Sequence, residues 1–423
     1  MVDVKDRSYS ESKSSLLTSV AWNFFWLGFL IYTISYSHPS DYNEIKYYQA
    51  IQIVAILIFV PAAIYLIRWS FENVYLKVIF LFYLLWSFFT IFRGFQFDFD
   101  SIKATLVNAP FSIFIYFAPL ILIFKDGFAN IKKLFYVIII LDSVFILYVI
   151  LFREVVFLGI SPFYRLPTWI TETFTHFLCF PTAFILLTYL YHKKPIIFFS
   201  LFIVIFTFLI VTIRARRGLM FMTLCFMVFA YLNFYFTNKG KILKVLISIA
   251  LLLFVIAYAY TTYSRHQYGT FGLITSRIDE DTRRGVVDYF YSSMSTNDLI
   301  IGRGINGAYY CPGIDEIAGS VTVMRSVIET GYLQIVLKSG FISLILYLLI
   351  TIPAIFIGLF SSKNLLSKAS AIWIFLYTIF LYPTYVNMFS LTYLLIWISV
   401  GICYSRTIRG KSDEDIEALI QKS

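Results

Sequence analysis

Long apolar runs separated by short polar connections dominate the chain. A helix needs about 20 mostly apolar residues to cross a bilayer, because hydrocarbon offers no partner for exposed N–H and C=O groups. Runs of that kind occupy residues 16–36, 47–67, 74–92, 107–124, 131–152, 173–191, 196–213, 218–236, 245–262, 341–360, 369–382 and 386–404. The pattern predicts an all-α polytopic membrane protein of about twelve spans, forming one membrane domain over residues 1–423. Only Pro383-Thr384-Tyr385 separates the short eleventh run from the twelfth, so these two also read as one helical hairpin. The one long connection, residues 263–326, falls between spans nine and ten.

Composition removes the soluble alternatives. Of 423 residues, 60% are hydrophobic and 14% charged, and mean hydropathy is +0.79; a soluble domain carries about 25% charged residues. Cys179, Cys225, Cys311 and Cys403 are scattered without a CxxC pair, so no disulfide framework is implied. Asp3, Lys5, Asp6, Arg7, Glu11 and Lys13 precede the first run, and no small-residue cleavage site follows it. We therefore expect a retained span rather than a signal peptide.

The net charge of +10 would fit nucleic acid in a soluble protein, but no soluble basic domain exists to bind it. Lysines and arginines collect in cytoplasmic loops of membrane proteins. Alternate connections carry Lys77; Lys125, Lys132 and Lys133; Lys193 and Lys194; Lys239, Lys241 and Lys244; Lys363 and Lys368; and finally Arg406, Arg409 and Lys411. That phase predicts both termini in the cytoplasm. It leaves two cationic stretches outside: the turn Arg214-Ala215-Arg216-Arg217, and the long loop with Arg265, Arg277, Arg283, Arg284, Arg303 and Arg325 but no lysine. An inverted topology would explain the turn but would move nearly all the lysines outside.

Arginine in place of lysine narrows the chemistry. Guanidinium is a planar fork that grips phosphate in a bidentate way and stays charged when half-buried. Arg214, Arg216, Arg217, Arg284, Arg303 and Arg325 are the candidate contacts for a pyrophosphate-bearing lipid. A plainer reading makes the loop a zwitterionic cap, since Asp279, Glu280, Asp281, Asp288, Asp298, Asp315 and Glu316 nearly balance it. Residues 281–291 read as an amphipathic helix, and Gly302 and Gly304 flank Arg303 in a tight turn that would present its side chain. From Arg325 a helical period resumes, with Arg325, Glu329, Tyr332 and Val336 on one face. Glu329 is the candidate general base, or else only an ion-pair partner of Arg325. His176, His266 and Glu172 are rival bases. Metal motifs, a P-loop and a Rossmann fingerprint are missing, so no metal or other cofactor is expected.

Three segments carry a resemblance. Thr212-Ile-Arg-Ala-Arg-Arg-Gly-Leu resembles the outer-face turn of the O-antigen polymerase and O-antigen ligase superfamily. Ile300-Ile-Gly-Arg-Gly resembles its Gly-x-Gly turn, and residues 329–341, with Leu333 and Gly340 in register, are similar to its closing helix. Glu329 and Thr330 stand where ligases place histidine and asparagine, which favours polymerase over ligase. The resemblance implies a GT-C-like membrane glycosyltransferase in the bacterial inner membrane, metal-independent, with the 263–326 loop periplasmic. Its implied partners are polyprenyl-pyrophosphate-linked oligosaccharides and membrane lipid, with a chain-length regulator left open. A lipid-linked oligosaccharide flippase is the alternative from another class, but the first half shows no counterpart of the long loop.

Overall fold

The computed structural model describes residues 4–39, 45–158, 160–161, 164–165, 169–214, 216–237, 282–312, 324–385 and 387–422. Eight helices among them are long and apolar enough to cross a membrane. These are Leu16–Ser37, Lys46–Leu66, Val74–Gly94, Ile131–Leu151, Ile170–Leu187, Lys194–Ile213, Arg217–Thr237 and Gly331–Phe360. At 1.5 Å per residue, 21 residues reach about 31 Å, the thickness of the hydrocarbon core. Phe82, Leu85, Phe198, Phe202, Leu209, Ile345, Ile352 and Phe356 face outward from these helices. Several of their small polar residues face inward and bond within their own helix, as where Thr207 donates to Ile203 O at 2.7 Å and Thr351 to Tyr347 O at 2.9 Å. The chain is thus an all-α multi-pass membrane protein.

Two of the shorter apolar helices, Leu365–Phe380 and Leu391–Tyr404, are the expected eleventh and twelfth runs. They sit at the centre of the bundle, where Trp373, Tyr377, Tyr393 and Trp397 are all buried. The expected fourth span is not one helix. Residues Ala109–Phe111 and Ala118–Ile123 are 3-10 turns, with one α turn, Phe114–Phe117, between them. Pro110 and Pro119 begin the two tighter pieces, where proline removes a donor and opposes a continuous ladder. The expected ninth span, 245–262, and residues 263–281 with His266 lie outside the described residues.

The described part of the long connection folds as an ordered cap. Helix Thr282–Ser293 follows the amphipathic pattern. Its Val286 and Phe290, with Met294 just past its end, are buried against Tyr309, Ile328, Leu333, Val336 and Leu337, a core separate from the main one. Tyr309–Tyr310 pairs antiparallel with Met324–Arg325, so Arg325 lies on a strand and not in the expected helix. That helix starts only at Gly331.

Gly331–Phe360 is itself broken. Gly340 has φ 73° and ψ 175°, so the helix runs to Ser339, stops, and resumes. Three carbonyls around the break find donors elsewhere: Leu337 O takes Arg303 N and Lys338 O takes Gly304 N, both at 2.8 Å, and Ser339 O takes Trp86 Nε1 at 2.7 Å. Peptide groups without partners are costly in a membrane interior, so this accounting is what makes the break tolerable. The Gly302-Arg303-Gly304 turn is therefore a clamp on the helix break.

Candidate functional site

Two helix starts converge on the 381–385 connection. The arginine turn ends at Arg217, and a Cβ on Gly218 would lie 3.5 Å from Pro383 O. On the other side, a Cβ on Gly331 would lie 2.8 Å from Thr384 O, and Tyr332 N donates to Leu381 O at 3.2 Å. Tyr332 also stacks on Tyr382, with ring centres 6.4 Å apart. The arginine turn and the Glu329-bearing entry to the broken helix therefore stand on one face, divided by Pro383 and Thr384. Both helices point their positive N-terminal ends at this face.

Helix Trp169–Phe174 supplies the arginine turn with partners the sequence spacing hid. Arg216 forms an ion pair with Glu172, and Arg214 Nε lies 3.4 Å from Thr171 Oγ1. Burial pulls the Arg214 guanidinium below its ordinary value, although arginine retains its charge in such settings. Arg217 and Arg284 are exposed, Arg217 at the start of its helix and Arg284 on the cap. Glu172 thus belongs to the arginine cluster as a neutralising partner.

Arg325 and Glu329 approach to 3.7 Å. The Glu329 side chain is 53% exposed, that of Arg325 only 16%, and the Arg325 Nη1 atom is buried without a hydrogen-bond partner among the described residues. Their spacing is helical, but a strand and a bend bring them together. Thr330, the residue just before the helix, is buried.

Arg303 is placed differently from expectation. Its Nη1 donates to Ala308 O at 2.7 Å, and its Nη2 to Ser293 O at 2.5 Å and Asp298 Oδ2 at 3.0 Å. The two glycines serve a close backbone approach: a Cβ on Gly302 would stand 2.4 Å from Lys338 O, and one on Gly304 would stand 2.5 Å from Gly94 N. The turn consequently folds Arg303 inward as a brace. Burial alone would raise the Asp298 carboxyl, but the Arg303 bond and the Ser295 side-chain and backbone bonds outweigh it and hold it below the usual range.

His176 is buried within a span, and its carbonyl accepts from Thr392 Oγ1 at 2.9 Å. It belongs to the core and not to the arginine face. Two other ionisable groups inside the bundle escaped the sequence reading. Asp142 is completely buried beside Thr182 and Cys179. Lys338 is buried on the first half of the broken helix. A charged residue inside an apolar run is the signal that marks both. Searched against family models, curated proteins and solved structures, the chain matches none of them.

Proposed function

We propose that this chain is a membrane glycosyltransferase that polymerises polysaccharide repeat units carried on polyprenyl pyrophosphate. The observation that carries the reading is the meeting of the arginine turn and the Glu329 entry across Pro383 and Thr384. Such a face has one group to take a proton and several to stabilise a departing pyrophosphate. In the reaction, a sugar hydroxyl of one lipid-linked unit attacks the anomeric carbon of the growing chain. Glu329 takes the hydroxyl proton while the carbon–oxygen bond to pyrophosphate breaks. Negative charge then builds on the leaving phosphate, where Arg214, Arg216, Arg217, Arg284 and Arg325 are the stabilising cations. Arg303 keeps the helix break in place. On this reading the face is periplasmic, the membrane is the bacterial inner membrane and both termini are cytoplasmic.

The test is deletion of the gene followed by separation of surface glycans by size. Single lipid-linked repeats without long polymer support the proposal. Long polymer that never reaches its final acceptor means a ligase, and repeats trapped on the cytoplasmic leaflet mean a flippase. Glu329→Gln in the restored strain should abolish polymer at unchanged protein abundance; normal polymer would remove Glu329 from its role.

A further inference from the structure

Lys338 lies seven residues past Gly331, about 10 Å along the helix from the proposed reaction face. It is only 7% exposed. Its Nζ donates to Gly307 O at 2.9 Å and lies 5.7 Å from the centre of the Phe111 ring. An ammonium has three N–H donors, and a buried cation is costly without a counter-charge. Among the described residues Lys338 forms no ion pair.

The same lysine lines a cleft with Tyr83, Tyr347, Tyr385, Tyr393 and Asn387. Tyr385 comes from the 381–385 connection that borders the arginine turn. The Tyr347 hydroxyl is buried beside the Thr378 side chain and has, among the described residues, no other hydrogen-bond partner. The cleft holds about 50 Å³ of free space. A water takes about 10–15 Å³ of such space, so a group of three or four heavy atoms fits.

We propose that this cleft binds a singly charged oxyanion on a hydroxyl-rich ligand, the chemistry of a sugar carboxylate, with Lys338 as its counter-ion. The inference rests on the polymerase reading and deepens it by making the repeat unit acidic. Charge decides between the oxyanions. One lysine in a low-dielectric cleft balances one negative charge, whereas pyrophosphate brings more and suits the arginines outside. The free space admits the carboxylate itself, and the Asn387 amide and tyrosine lining supply hydrogen-bonding groups beside it.

The experiment uses the full chain in nanodiscs and saturation-transfer NMR with glucuronate, its uncharged methyl ester, glucose and inorganic phosphate. Glucuronate should bind at least about tenfold more tightly than the ester or glucose, and Lys338→Met should lose that preference. Equal binding of glucuronate and its ester by the unaltered protein overturns the proposal without any variant. Retention of the preference in Lys338→Met removes the lysine from the site and overturns it too. Tighter binding of phosphate than of glucuronate overturns the carboxylate assignment in favour of a phosphoryl group. None of these readouts depends on polymer being made, so failure here is distinct from failure of the polymerase reading.

Discussion

Gly340 and Ile300 approach so closely that a Cβ on Gly340 would stand 2.1 Å from the Ile300 carbonyl oxygen. The same glycine has a φ of 73°, which side-chain-bearing residues rarely adopt. The helix break and the turn that caps it are therefore one unit, and alanine at 340 strikes both. Gly340→Ala should cost about 1–3 kcal/mol from the backbone conformation alone, with the clash in addition. Gly285 provides the contrast, since it lies in helix Thr282–Ser293 and a Cβ added there would meet nothing within 4 Å among the described residues. Gly285→Ala should stabilise by about 0.5–1 kcal/mol. Thermal unfolding in detergent compares the two, and equal behaviour would show that the break does not constrain position 340.

Much of this architecture could be read from periodicity, because a bilayer demands long apolar runs and charged loops interrupt them. The apolar run 131–152 predicts a span, and Ile131–Leu151 is a helix of the required length. The failures have local causes. Pro110 and Pro119 break an apolar stretch that hydropathy alone cannot distinguish from a helix. Arg325 has helical spacing to Glu329, but cross-strand pairing with Tyr309 wins. Glu172 is 44 residues from Arg216 in the chain, so no local pattern could join them. Lys338 was visible as a charge among apolar neighbours, yet its burial depends on a turn 31 residues upstream.

Asp298 gives the cap a defined acid sensitivity. Its folded carboxyl titrates below the unfolded value of about 3.9. Its stabilising contribution is therefore complete above that value and is lost as pH falls through the lower, folded one. Limited proteolysis of residues 282–312 should accelerate below about pH 4. Asp298→Asn should make cleavage faster at neutral pH and remove that carboxyl's part of the acid response. An unchanged acid profile in the variant would place the sensitivity elsewhere.

Arg216 separates scaffold from chemistry. Its pairing with Glu172 is half-open to solvent, with side chains 28% and 43% exposed. A pair of that kind contributes at most about 1 kcal/mol to stability. If the guanidinium stabilises the leaving pyrophosphate, Arg216→Ala should lower polymer formation by roughly a hundredfold. Melting temperature and polymer yield measured on the same preparations distinguish the roles. Loss of polymer that tracks loss of folded protein would reduce Arg216 to a structural residue.

His192 lies in a connection between two spans, beside Lys193 and Lys194. Its Nε2 lies 3.0 Å from Thr188 Oγ1, and its ring meets the Phe135 ring edge-on with centres 4.5 Å apart. Burial lowers its pKa from 6.5 to about 4. Between those values the unfolded chain binds a proton that the folded chain refuses, so stability rises with pH across that window. Acidification should therefore lower the melting temperature from near pH 6.5, with this contribution exhausted near pH 4. His192→Gln keeps a polar group beside Thr188 but cannot take up the proton. Its melting temperature should be flatter across the same window, and a slope equal to that of the unaltered protein would show that His192 is not the group responsible.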